Sequence, residues 1–413
     1  MPSYTAFLGH QPHVSVAEIA AVLPDFVLKQ INKSYAIFET QYELNQDFFS
    51  MLGGTVVLAR EITSSSVELS DIPKLLANEV SGGKRTKVTF SIRCNGISPR
   101  NTKKLFHECK QYLKGKGQPS RYVGNERKPA LPVVLHDNDM IGSKRGCEIV
   151  ILVDEETGDL WVGKTVAAQD VNAYTKRDME KPVRDTTVGL LPPKLAQVLL
   201  NLGVFAARSV GSVKDSKTKK VALPQMTIFD PFCGTGVIPM ECLLRSWPVL
   251  ASDVSQKAVN GCTKNLDWVR KEYKIAKKDV LSEVWKQDAQ KPFDLKKNKP
   301  TVIVTETTLG PPLMRRPTLK DVQKLRTEND ALQVAFLQNA AATLPGVPVV
   351  CTYPVWYSSK EPEPLRKVWD EAEKLGYSPA LPLDPPETTG RKSLLYRRPD
   401  QYVGREIVVW LPK

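Results

Sequence analysis

No stretch of this 413-residue chain approaches the roughly 20 consecutive apolar residues that a helical membrane span needs. The N-terminus, MPSYTAFLGHQPHVS, lacks the basic start, apolar stretch and small-residue cleavage site of a secretory signal, so the cytoplasm is the expected compartment. The seven cysteines (94, 109, 147, 233, 242, 262 and 351) include no CxxC pair, so no metal site is expected, and an odd, scattered set suits reduced thiols. Histidine is scarce. All four (10, 13, 107, 136) fall in the first third, so chemistry carried by the rest of the chain must proceed without an imidazole base unless units share a site. No repeat of fixed period is present. Acidic residues are nearly missing from one region. Between Lys84 and Lys128 only Glu108 and Glu126 oppose thirteen Lys or Arg, a net +11 within a chain of net +13. Such a concentration is the footprint expected for a phosphate-backbone partner, the plain alternative being a solvated basic face. Lys84, Arg85, Lys87, Arg93, Arg100, Lys103 and Lys104 are its candidate contacts.

A chain of this length exceeds one ordinary core, and its 41% hydrophobic and 25% charged content is that of a globular protein. Residues 1–60 alternate short strands with one helix, VSVAEIAAVL, and end on a strand behind Gly53-Gly54. Residues 61–169 continue in that style, with helices at IPKLLANEV and PRNTKKLFHECKQYLKG and strands at KVTFSIRC, LPVVLH, CEIVILVD and DLWVGKTVA. Residues 170–185 are charged and aperiodic and read as a linker. From 186 to 413 strands and helices alternate, the pattern of a parallel α/β sheet covered on both faces. Its first helix, PPKLAQVLLNLG, is expected to close on Gly203, and SLLYRR with REIVVWLP is expected to form a terminal hairpin.

Within that α/β region a strand ends at Asp230, the loop Pro-Phe-Cys-Gly-Thr-Gly follows, and a helix begins. Glycines at 234 and 236 let the backbone turn tightly and approach a ligand, while the helix N-terminus presents free N–H groups. The next strand ends at Asp253, 23 residues on, where a carboxylate can accept bonds from both ribose hydroxyls. Asp288 supplies a third acid, placed to accept from an adenine amine. A dinucleotide site favours GxGxxG, whereas an acid before the loop suits a ligand with a positively charged amine, as S-adenosylmethionine has. The candidate cofactor residues are therefore Asp230, Phe232, Cys233, Gly234, Gly236, Asp253, Val254, Asp288 and Ala289.

At these residues the sequence resembles the THUMP-containing tRNA guanosine-N2-methyltransferases. DPFCGTGVIPMECLL is similar to that family's cofactor loop, and YTAFLGHQPHVSVAEIAAVL is similar to its N-terminal ferredoxin-like unit. The basic segment up to GKTVAAQDVNAY stands where the family carries its THUMP domain, and RDMEKPVRDTTVGLLPPKLAQVLLNL resembles its linker and first methyltransferase helix. The resemblance implies an α/β protein in which a ferredoxin-like unit and a THUMP domain precede a Rossmann-like methyltransferase domain. It further implies S-adenosylmethionine as cofactor, tRNA as partner, and a methyl group placed on N2 of a guanosine near the D-arm, guanosine-10, with a small activator subunit as a further partner.

The family's catalytic signature after the fourth strand, Thr-Asp-Pro-Pro-Tyr-Gly, is replaced here by Thr305-Glu306-Thr307-Thr308-Leu309-Gly310. The acid survives one methylene longer. Both prolines and the aromatic are gone. Glu306, Thr307, Thr308 and Leu309 are the candidate catalytic residues: Glu306 can accept from the target amine or take its proton after transfer, and Leu309 offers an apolar contact without a stack. Tyr353, Trp356 and Tyr357 are candidate substitute stackers, with core packing as the alternative, and Arg315 and Arg316 are candidate phosphate contacts. The altered motif keeps a second class open, an RNA-binding protein of the same architecture that is non-catalytic, retuned, or a subunit of a methyltransferase complex. A DNA amino-methyltransferase is a third.

Overall fold

Alternating apolar residues at the start of the chain pair into one eight-stranded sheet. Its strands are β1 (Ser3–Leu8), β2 (Val27–Ile31), β3 (Tyr35–Glu39), β4 (Thr55–Glu61), β5 (Val88–Asn95), β6 (Ser120–Tyr122), β7 (Gly146–Val153) and β8 (Leu160–Ala168), ordered β2-β3-β1-β4-β8-β7-β5-β6. The computed structural model describes residues 1–63, 66–82, 86–185, 190–214, 221–295, 298–384 and 390–413. β4 pairs antiparallel with β1 on one side and β8 on the other, so the sheet runs unbroken through residue 60. Only β7–β5 and β5–β6 are parallel. Among the described residues six α-helices accompany it: α1 (Pro12–Val22), α2 (Gln46–Phe49), α3 (Ile72–Glu79), α4 (Pro99–Gly115), α5 (Pro132–Asp137) and α6 (Val171–Met179). Ile19 of α1 packs with Tyr4 and Phe38 in one apolar cluster against the sheet, and Leu76 of α3 and Leu105 of α4 pack with Phe90 in another.

Three local expectations are corrected here. LPVVLH is not a strand but α5, because Pro132 presets the first helical residue and one turn suffices to bury Leu135. The segment 170–185 contains α6, whose N-cap Asp170 accepts from the Ala173 N–H at 2.9 Å. Its periodicity is hidden because its inward side is polar: Arg177 is buried against Glu241 at 2.9 Å, and Tyr174 donates to the Leu52 carbonyl at 3.0 Å. The helix read as ending at Gly203 continues as α7 (Pro193–Ser209). Gly203 lies mid-helix, where an added Cβ would come within 3.0 Å of Val304, so it serves close helix–strand packing rather than termination.

The second sheet follows from alternation of strand and helix. After α7 come β9 (Ile228–Asp230), α8 (Val237–Leu244), β10 (Val249–Asp253), α9 (Gln256–Glu272), β11 (Ser282–Lys286), β12 (Val302–Glu306), α10 (Leu319–Thr343), β13 (Val349–Trp356), α11 (Lys367–Lys374), β14 (Tyr377–Pro379), β15 (Leu394–Tyr396) and β16 (Val403–Pro412). The order is β11-β10-β9-β12-β13-β16-β14, with β15 also on β16, as the expected terminal hairpin requires. β11 to β13 in that order are parallel, and β16 runs antiparallel to its neighbours. From β9 the chain steps outward to β10 and β11, then returns to β12 and β13 on the other side. The reversal opens a crevice at the carboxyl ends of β9 and β12, the place where an open α/β sheet takes a ligand. Asp230, Asp253 and Glu306 are the last residues of β9, β10 and β12.

The two sheets are joined through α1 and α7 by a buried polar network. Glu18, fully buried, accepts from the N–H groups of Gly53 (2.8 Å) and Gly54 (2.7 Å) and from Asn201 Nδ2 (2.7 Å). Arg245 donates to Asn201 Oδ1 and to the Met51 carbonyl. Burial raises the Glu18 carboxyl to about 7. A Cβ on Gly53 would stand 1.9 Å from the Lys194 carbonyl, so only glycine lets the two units approach this closely. Glu18→Ala removes the acceptor of the Gly53 and Gly54 N–H groups, while Asn201 Nδ2 keeps its bond to the Met51 carbonyl, and is expected to destabilise the chain by about 3 kcal/mol, read as a shift in the urea midpoint. A midpoint within error of wild type would show that the network carries no stability.

Candidate functional site

The crevice holds a cavity of about 530 Å³, a size suited to a cofactor-sized ligand. The loop that shapes it works by backbone geometry. Gly234 has φ +51°, and its N–H donates to Asp253 Oδ2 at 3.0 Å. Asp253 Oδ1 accepts from the Ser255 N–H at 2.8 Å, which ties the end of β10 to the start of α9. No atom stands within 4 Å of an imagined Cβ on Gly234, so its side is open. Gly236 is the N-cap of α8 at φ +89°, and a Cβ there would meet Cys262 Sγ at 2.6 Å. It does not line the cavity, so its expected place against the ligand is corrected to one of seating α8 on α9.

Asp230 is 2% exposed. Its Oδ1 accepts from Thr305 Oγ1 at 2.6 Å and from the Phe232 N–H at 3.2 Å. Burial raises its carboxyl to about 7; those bonds oppose the shift, and the nearby charges of Asp253 and Glu306 add to it. Phe232 packs edge-on to Phe336 at 5.2 Å. Asp288 Oδ1 accepts from the backbone N–H and the side-chain amide of Gln290 at 3.0 and 3.3 Å. The remaining expected residues Cys233, Val254 and Ala289 line the same cavity, as do Glu306, Thr307, Thr308 and Leu309.

The β12 loop is anchored by hydroxyls. Thr305 reaches β9 as above, and Thr307 Oγ1 donates to the Thr352 carbonyl at 2.5 Å. Gly310 (φ +79°) donates its N–H to Thr308 Oγ1 at 3.2 Å. Glu306 has a partner that sequence reading missed: its Oε1 accepts from Arg405 Nε at 2.5 Å, with both side chains nearly enclosed. Arg405 lies 99 residues away on β16, between Gly404 and Glu406, and nothing local marks it as part of a site. The lining carries five carboxylates, Asp185, Asp230, Asp253, Asp288 and Glu306, against one lysine, Lys257, which pairs with Asp185 at 2.8 Å. An excess of negative charge in a partly enclosed site favours a cationic ligand.

The substitute stackers are corrected. Tyr353 and Trp356 are fully buried and Tyr357 nearly so, Tyr353 accepts from Trp410 Nε1 at 3.0 Å, and none lines the cavity. They are core. Arg315 and Arg316 are exposed. Of the basic residues, Lys84 and Arg85 lie outside the described residues, and Lys87, Arg100, Lys103 and Lys104 are exposed. α4 buries Leu105, Phe106, Cys109 and Leu113, which leaves its lysines on the opposite, solvent side. Arg93 is corrected: it is buried, donates to Glu148 at 3.1 Å and to the Ala130 carbonyl at 2.8 Å, and stacks over Phe7, so it braces the sheet and cannot reach RNA. Among the described residues no group of three or more metal-ligating side chains occurs and no helix is long and apolar enough to cross a membrane.

No family model and no curated protein matches the sequence. Solved structures do. TrmN from Thermus thermophilus superposes over 100% of both chains with a TM-score of 0.50 at 13% identity. A protein of Clostridium difficile 630 described as a possible methylase covers 100% of this chain and 98% of its own, with a TM-score of 0.46 at 12% identity. At 13% identity the likeness to TrmN is one of fold, and it extends over both sheets.

Proposed function

We propose that this chain is an S-adenosylmethionine-dependent RNA methyltransferase that places a methyl group on N2 of a guanosine in tRNA, guanosine-10 near the D-arm. The observation that carries the reading is the cavity at the switch point, where Asp230, Gly234, Asp253, Asp288 and Glu306 converge from four separate segments. The residues present fit the cofactor: five carboxylates face a ligand with an ammonium and a sulfonium, and the open side of Gly234 admits a close approach. The cofactor supplies an electrophilic methyl group. Asp253 accepts from ribose hydroxyls, Asp288 from the adenine amine and Asp230 from the ammonium.

An exocyclic guanine amine is a poor nucleophile because its lone pair is delocalised into the ring, so the protein's main task is to hold it in line. Glu306 uses one oxygen on Arg405 and offers the other to the amine, holding it and then receiving its proton. Leu309 and Thr308 border the base. In this reading residues 1–60 and 61–169 are the ferredoxin-like and THUMP units that grip RNA, 170–185 links them, and 186–413 is the Rossmann-like methyltransferase domain. Lys87, Arg100, Lys103 and Lys104 contact phosphates.

The test is incubation with unmodified tRNA and methyl-labelled S-adenosylmethionine, followed by nucleoside separation. Label in N2-methylguanosine that is absent with Glu306→Gln supports the enzyme. Cofactor binding without transfer to any tRNA sinks it and leaves the RNA-binding reading, which the engagement of Glu306 by Arg405 favours.

A further inference from the structure

The chain leaves the methyl-transfer cavity at Gly310 and turns back along α10. An imagined Cβ on Gly310 would stand 3.7 Å from Asn329 Nδ2 and 3.9 Å from Leu325, yet Thr318, further along the chain, caps the start of the same helix. The return therefore covers about two turns of α10, roughly 10 Å. It is pinned at two places. Leu313 packs against the apolar cluster that holds Val322 and Phe336, and Pro317 is buried. Thr318 and Asp321 then close a capping box, the Thr318 N–H and hydroxyl donating to Asp321 Oδ2 at 2.9 and 2.8 Å. Between the anchors Met314 is 93% exposed beside exposed Arg315 and Arg316, and just past them Leu319 is 64% exposed beside Lys320. No acid occurs from 311 to 320. The acid that follows, Asp321, is occupied by the cap; those bonds first, and then Arg315 and Lys320 near it, hold its carboxyl below the usual range.

A methionine held out in water exposes apolar surface at a cost, and the anchors on either side keep it from folding back. We propose that residues 311–320 are an RNA contact in which Arg315, Arg316 and Lys320 hold phosphates beside the target nucleotide and Met314 enters the base stack, pushing the target out of it. This rests on the RNA reading above. A guanine inside a helix presents its N2 to an enclosed cavity only by leaving the stack, and an apolar side chain inserted between base steps lowers the cost of that exit. Position and charge select RNA over a protein partner. Met314 lies four residues past Gly310, so at most about 14 Å of chain separates it from the cavity wall, and a strand that places its base there runs within reach of the patch. A protein interface draws charge away from its apolar centre, whereas here Met314 and Leu319 each have a basic neighbour.

Two probes test it on the full chain, an unmodified tRNA transcript and the same tRNA carrying 2-aminopurine, which brightens when unstacked, in place of guanosine-10. Arg315→Gln with Arg316→Gln should reduce the slope of log K against log salt by about 1.4. Met314→Ser should leave that slope unchanged, remove most of the fluorescence rise that wild type produces, and slow single-turnover methyl transfer about tenfold without changing cofactor affinity. Met314→Leu should restore both the rise and the rate. All three side chains are exposed, so the variants should keep the wild-type thermal midpoint. An unchanged slope in the double arginine variant would overturn the phosphate contact and leave the patch to a protein partner. A full fluorescence rise in Met314→Ser, or methylation of guanosine-10 by wild type with no rise at all, would overturn the insertion. Wild type that transfers no methyl group to any tRNA fails the functional reading, and the salt slope by itself still decides the RNA contact.

Discussion

Glu306→Gln should lower single-turnover methyl transfer by about 100-fold while leaving the cofactor dissociation constant within about twofold. The amide keeps the shape of the side chain but cannot accept the proton released after transfer, and its N–H₂ competes for the position in which the amine must sit; displacement by about 1 Å accounts for a loss of that size. Arg405 separates positioning from stability. Arg405→Met leaves the nearly enclosed Glu306 carboxylate without its partner, and breaking a buried pair from one side costs about 3–5 kcal/mol. The double variant Glu306→Gln with Arg405→Met should recover most of that loss, because both charges leave together, yet remain as slow as Glu306→Gln alone. Equal transfer rates in wild type and Glu306→Gln would remove Glu306 from the reaction. Additive stability losses in the double variant would show that the two side chains do not depend on each other.

Asp253→Ala should weaken cofactor binding by about 100-fold, since it removes the acceptor for the ribose and frees the Gly234 and Ser255 N–H groups that now hold the loop. Asp230 adds a pH dependence. Its carboxyl is raised to about 7 by burial first, with Asp253 and Glu306 adding to the shift. A cationic ligand prefers the ionised form, so binding below that value must release a proton. Affinity is therefore full above about pH 7 and falls as the pH drops through 7, approaching tenfold per unit below it. Titration calorimetry in two buffers of different ionisation enthalpy reads the released proton directly. Asp230→Asn should bind more weakly and lose this dependence. An affinity independent of pH between 6 and 8 in wild type would place the ammonium elsewhere.

The α/β alternation after residue 186 was legible because each buried parallel strand is a short apolar run closed by a turn, and Asp230, Asp253 and Glu306 stand at the ends of three of them. The same reading failed where polar groups replace an apolar face. α6 has no periodicity because Tyr174 and Arg177 face a buried carboxylate and carbonyl instead of a hydrophobic core. Gly203 resembled a helix end because a glycine there and a glycine packed on Val304 are identical in a string of letters. Arg93 was indistinguishable from its basic neighbours until the fold placed it against Glu148.

By itself, then, the sequence determined the strand-loop-helix turn at 230–236, the acids that end the strands beside it, and the charge imbalance between 84 and 128, since each is set by neighbours along the chain. Tertiary structure alone decided that Glu306 is held by Arg405 and that Tyr353, Trp356 and Tyr357 are core. Those facts depend on which distant segments the sheet order brings into contact, and the energy of a charge is set by the groups within a few ångströms of it, whatever their separation in sequence.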